Sequence, residues 1–199
     1  SYSWNNVPVD TSNNVKVKVI DVDDATDLYS GVSPTFAIIG KISVTQPDGS
    51  DWIILQNGVY NVVASVSGVT NVSAYYSTSN GSAGTYNFIG SADAVAGTAT
   101  IPWNTPDAVS DTVKVRVIKT GEAVDTPVVY GDSPTFSLFE QFGSISPSDG
   151  DNLTAGASET ISWTKLGNSL ANVNLYLSKD NGGAYTLIKA TSNTGSTSW

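Results

Sequence analysis

Tyr2-Ser3-Trp4, Val15-Lys16-Val17-Lys18-Val19-Ile20 and Ser33-Pro34-Thr35-Phe36 mark a stretch that the chain writes twice. The second copy reads Ile101-Pro102-Trp103, Val113-Lys114-Val115-Arg116-Val117-Ile118 and Ser133-Pro134-Thr135-Phe136. Self-similarity at a fixed spacing marks a tandem array, whose units bury their apolar faces against one another. Trp199, closing Ser196-Thr197-Ser198-Trp199, stands where a further copy would start. Inside the stretch, Val15, Val17 and Val19 alternate with Lys16 and Lys18, the period of a strand with one buried and one wet face. Pro34 lacks an amide donor and belongs at the start of the next strand or on a sheet edge.

Working outward, residues 41–140 offer a full set of short strands: Ile42 to Gln46, Val59 to Val66, Val72 to Ser77, Tyr86 to Ile89, Thr98 to Pro102, Thr112 to Lys119 and Thr135 to Glu140. Pro47-Asp48-Gly49, Asn57-Gly58, Ser79-Asn80-Gly81 and Asn104-Thr105-Pro106-Asp107 separate them, each with residues suited to turning the chain. Seven strands in about a hundred residues is the pattern of an immunoglobulin-like sandwich.

Residues 141–199 repeat the front of that set. Val173, Leu175 and Leu177 fall 101 residues after Val72, Ala74 and Tyr76, and Pro147-Ser148-Asp149-Gly150 answers Pro47-Asp48-Gly49. The expected fold is therefore all-β, with tandem immunoglobulin-like β-sandwich repeats of about 100 residues. Residues 1–40 form the C-terminal half of a repeat, 41–140 a complete one, and 141–199 an N-terminal half. A half cannot close a sandwich alone and leaves apolar strand edges open. Two explanations compete: a longer continuous array, which is preferred, or completion of one copy's front half by the back half of the next.

Composition removes several functions. The net charge of −9, from 9 basic and 18 acidic residues, repels phosphate backbones, so no nucleic-acid partner is expected. Fifteen acidic residues are Asp and three are Glu, which places much of the charge in turns where Asp binds local backbone. With no His and no Cys, the usual zinc sites, thiol chemistry and His-based triads are excluded. No run is long enough to cross a membrane as a helix, and no membrane insertion is expected. The chain has no Met, so Ser1 is not an initiator, and a processed product or a portion of something longer is expected.

Ile161-Ser162-Trp163-Thr164-Lys165-Leu166-Gly167, followed by Val173-Asn174-Leu175-Tyr176-Leu177-Ser178-Lys179-Asp180-Asn181-Gly182-Gly183-Ala184-Tyr185, resembles the Ser/Thr-rich immunoglobulin-like repeats of secreted microbial surface proteins. These are similar to the Kre9/Knh1-type repeat of yeast cell-wall proteins. The resemblance implies an extracellular, cell-surface β-sandwich array with no catalytic residues. The middle stretch departs from it, with Val62-Val63-Ala64 where the end has Ile161-Ser162-Trp163.

Candidate sites are few. Asp21, Asp23, Asp24 and Asp27 crowd one loop and are weak calcium candidates, since the matching Lys119 to Asp125 loop does not repeat their spacing. No other cofactor is expected. Tyr75 and Tyr176 occupy matched outward positions and are candidate interface or glycan contacts. Phe139 and Phe142 could pack between neighbouring units, while Trp4 and Trp103 read as core. For an intramolecular Lys–Asn isopeptide bond, which needs a buried acid beside the bonded pair, Lys41 or Lys119 with Glu122 as that acid is the candidate. No catalytic carboxylate pair stands out, and the chain is not expected to be an enzyme. The expected function is structural: a repeat unit of a stalk, surface layer or filament, whose partners are neighbouring copies of itself. The alternative is an adhesin or carbohydrate-binding module recognising surface glycans.

Overall fold

The computed structural model describes every residue except 24, 25, 27, 29 and 55–58. The expected Asn57-Gly58 turn lies outside the described residues. The fold is all-β, and no helix occurs among the described residues.

The alternating patterns produce the strands as expected, with the largest set in the middle of the chain. There, β5 (Lys41–Gln46), β7 (Tyr60–Ser67) and β10 (Thr98–Trp103) form one sheet in the order β10-β7-β5. A second sheet runs β6-β13-β11-β8-β9, from β6 (Trp52–Ile53), β8 (Asn71–Ser77), β9 (Asn87–Asp93), β11 (Ser110–Lys119) and β13 (Phe136–Phe139). The short β12 (Tyr130–Asp132) also pairs with β11. The inward residues of both sheets meet in one core, including Val62, Ala64 and Ile101 from the first and Val72, Val113, Val115, Val117 and Leu138 from the second. Trp52 stacks on Tyr60 at 4.1 Å and leans on Trp103 and Phe136, filling one end of this core.

Two strands here escape the alternation pattern. β6 is two residues long and lies parallel to β13, with Trp52 beside Leu138. β12 contains Gly131, which reads as a turn residue. It is a glycine because a Cβ there would lie 2.7 Å from the Ile42 carbonyl oxygen, so only a bare backbone can cross β5 so closely.

The first segment carries β1 (Ser12–Val15), β2 (Lys18–Ile20), β3 (Ser30–Val32) and β4 (Phe36–Ile38). Its pairings coincide with those of the middle, position by position. Val15 faces Phe36 as Val113 faces Phe136, and Ser12 faces Ile38 as Ser110 faces Leu138. Lys18, Val19 and Ile20 face Val32, Gly31 and Ser30 as Arg116, Val117 and Ile118 face Asp132, Gly131 and Tyr130.

The repeated Ser-Pro-Thr-Phe now has a physical reason. Ser33 Oγ accepts the Val17 amide at 2.9 Å and donates to the Pro34 carbonyl at 2.8 Å. Ser133 does the same for Val115 and Pro134, at 3.0 and 2.7 Å. The hydroxyl bridges the ladder where the partner chain passes from one short strand to the next. It satisfies an amide that would otherwise have no partner in the sheet.

The last segment carries β14 (Gln141–Ser146), β15 (Thr160–Leu166), β16 (Asn172–Leu177), β17 (Thr186–Ser192) and β18 (Ser196–Ser198). The order β14-β15-β18 answers β5-β7-β10, and the β16-β17 pair answers β8-β9. Leu175 and Tyr176 flank a register shift, as do Ala74 and Tyr75. The bonds Gln46–Pro47 and Ser146–Pro147, at matching turns, are both cis.

Candidate functional site

The pairings agree, but burial does not. Val117 is 0% exposed whereas Val19 is 69% exposed, and Trp103 is 3% exposed whereas Trp4 is 44% exposed. In the middle, β11 lies between β12 and β13 on one side and β8 on the other. In the first segment β2 pairs only with β3, and in the last β16 pairs only with β17, among the described residues. The chain thus presents two unpartnered apolar surfaces.

The last segment's surface is a cleft of about 130 Å³ lined by Phe142, Ile145, Ile161, Trp163, Val173 and Leu175. Trp163 is buried on β15 at the position held by Ala64 on β7, and its indole N–H donates to Asn193 Oδ1 at 2.8 Å. With its ring buried and its one donor paired, Trp163 is a core residue rather than a ligand platform. Phe142 faces this cleft, and Phe139, at the end of β13, pairs with Ile53.

What the structure places between the middle and last segments is polar. Asp107 accepts the Asn168 amide at 2.7 Å and its side-chain amide at 3.1 Å, while the Ser169 hydroxyl donates to the Asp107 carbonyl at 2.9 Å. Glu140 Oε1 accepts the Ser169 and Leu170 amides. Each carboxylate gathers backbone donors from a loop across the junction, an arrangement that charge strengthens. The sequence signal for it was slight: Glu140 is one of only three glutamates. At the other junction a Cβ on Gly68 would lie 2.7 Å from the Val9 carbonyl and 2.8 Å from Thr11, so the chains cross there by close approach instead.

Hydrogen bonding, first of all from the Asn168 amide, holds the Asp107 carboxyl below its ordinary pKa of 3.8. A carboxyl depressed in the folded state contributes stability above that ordinary value and loses it as pH falls through the depressed one. The Asn168 amide resonance is expected to titrate with a midpoint below 3.8 and to lose that titration in Asp107→Asn. A midpoint at or above the ordinary value would contradict the junction contact.

The outer face of β8 and β11 carries a side-chain cluster around Arg116. The Arg116 guanidinium lies between the rings of Tyr86 and Tyr130, 4.7 and 4.8 Å from their centroids. It donates to both Asp132 oxygens at 2.7 Å and to the Val124 carbonyl at 3.1 Å. Burial, reinforced by Asp132, pushes the Tyr86 hydroxyl above its ordinary range. Since carboxylate, carbonyl and two rings occupy the guanidinium, the cluster pins the 121–129 loop and leaves no vacant anion site. The first segment has Lys18, Val32 and Ser30 at the matching positions, so the clamp is not repeated.

Tyr75 leans edge-on against Phe88 at 5.3 Å on the same face, and Tyr176 is exposed on β16. The two are the outward members of their strands, facing Phe88 and Leu187 across the ladder. Asp21 accepts the Asp23 amide at 3.1 Å in a local turn, while Asp24 and Asp27 lie outside the described residues. Among the described residues no group of three or more acidic side chains is arranged to hold a metal ion. Asp48, Asp151 and Asp180 likewise accept amides within their own turns, the local role their type favours. Glu122 accepts the Val128 and Val129 amides at 2.6 and 2.9 Å, closing its loop.

No family model and no curated protein matches the chain.

Proposed function

We propose that the chain is a structural repeat unit of a long extracellular or cell-surface protein, built from immunoglobulin-like sandwiches and serving as stalk, surface layer or filament. Residues 41–140 are the complete repeat, and 1–40 and 141–199 are its back and front halves. The observation that carries this reading is the coincidence of strand pairing between both end segments and the middle, residue for residue in β1-β4, β2-β3 and β16-β17. A chain selected to bind one ligand has no need to reproduce the same ladder at both ends. An array does, because every junction must present the same surfaces. The resemblance of Ile161 to Tyr185 to repeats of microbial surface proteins supplies the expectation of location.

The test is electron microscopy of the purified chain beside a glycan array. Elongated or polymeric particles without glycan binding support the structural role. Compact single particles with a clear glycan signal, lost on Tyr75→Ala, would replace it with adhesion.

A further inference from the structure

A glycine with nothing to accommodate points to what the open surfaces hold. Gly131 must be glycine because β12 crosses β5 so closely, yet at the matching Gly31 a Cβ would meet none of the described residues within 4 Å. Gly31 is not among the residues with positive φ, so its own backbone conformation does not require glycine either. The residue makes sense if another chain covers β3 as β5 covers β12. The same holds for Val17, Val19, Ile20 and Phe36, all exposed where Val115, Val117, Ile118 and Phe136 are buried. What these residues lack is a β5-β7 sheet and a β8 edge. The last segment has both, in β14-β15 and β16, and lacks what the first segment carries.

We propose that the first segment of one copy docks on the last segment of a second copy, adding β2 to the free edge of β16 and laying β3 over β14. The proposal rests on the repeat reading above and fixes its partner and register. Val115, Arg116 and Val117 face Tyr76, Tyr75 and Ala74 in the middle. Transferred to matched positions, Val17, Lys18 and Val19 of one copy face Leu177, Tyr176 and Leu175 of the next. Val17 and Val19 then close the cleft over Trp163, Val173 and Leu175, and the unpaired main chain of β16 gains a ladder. Gly31 passes the Phe142 backbone as Gly131 passes Ile42. Because the two surfaces differ, each docking leaves one of each free and assembly continues head to tail.

The chain has no cysteine, so engineered pairs report register without background. In the full chain, Val19→Cys with Leu175→Cys is expected to give a ladder of disulfide-linked multimers on mild oxidation. Val19→Cys with Tyr176→Cys, whose side chain points to the opposite face, is expected to give none. Gly31→Val, whose Cβ meets none of the described residues of the free segment, is expected to leave the monomer folded and to abolish the concentration-dependent association seen by sedimentation. Equal ladders from both pairs, a disulfide confined to monomers, a single monomeric species at every concentration, or association unchanged by Gly31→Val would each overturn the docking. Amide exchange of β7 and β11 in the same samples reports on the middle repeat. Slow exchange there with no ladder sinks the docking and leaves the repeat reading intact, whereas fast exchange there removes both.

Discussion

Val117→Asp is expected to abolish the cooperative unfolding transition of the chain, while Val19→Asp, the same position of the same repeated strand, leaves it in place in dilute solution. Val117 is completely buried between the two sheets of the middle stretch, paired with Ala74 on one side and Gly131 on the other. Among the described residues no basic side chain is buried to pair with it. A carboxylate there is an unpaired buried charge, costing several kcal/mol even after relaxation and water penetration. Since a domain holds only about 5–15 kcal/mol in total, most of that stability is removed by one substitution. At position 19 the same carboxylate points to water. Thermal melts followed by circular dichroism distinguish the two. Equal losses would mean that the two strands are buried alike, against the structure.

Trp103→Ala is expected to cost about 3–5 kcal/mol, the range for removing a large buried aromatic side chain. Its ring lies 5.3 Å from Tyr76, 5.7 Å from Trp52 and 6.4 Å from Phe136, so its loss opens a cavity at the end of the core where four rings meet. Trp4 occupies the matching position of the first segment but is far more exposed, and Trp4→Ala should stay within about 0.5 kcal/mol, as surface changes do. Urea titration of the two variants checks the contrast through the shift in midpoint. A Trp4→Ala effect as large as that of Trp103→Ala would show that the first segment has a core of its own.

The alternation of Val with Lys and Arg located the repeated strand in the sequence and told which of its faces is apolar. It could not tell whether anything covers that face, because Val19 and Val117 each stand between a basic residue and an isoleucine and differ in burial through the strands beside them. The seven long strands of the middle were legible for the same reason, each within a few residues of its observed limits. β6 and β12 were not, being too short for a period to register and dependent on partners distant in the chain, Leu138 for Trp52 and Arg116 for Asp132. The serine of Ser-Pro-Thr-Phe was visible as a motif, but its role as a bridge in the ladder needed the backbone. The junction carboxylates Asp107 and Glu140 were invisible as a pair, because loops brought together by folding carry no common spacing. Phe139 and Phe142 drew attention by their place at the expected boundary between units; Phe142 lines the cleft of the last segment and Phe139 pairs with Ile53.

Hydrogen exchange, compared between the two copies of the Val-Lys-Val strand at low and raised protein concentration, tests the central claim most directly. The account predicts slow exchange of Val113 to Ile118 at every concentration. It predicts fast exchange of Lys16 to Val19 when dilute, slowing as concentration rises and β2 gains the edge of β16. Equal and concentration-independent protection of both copies would contradict it.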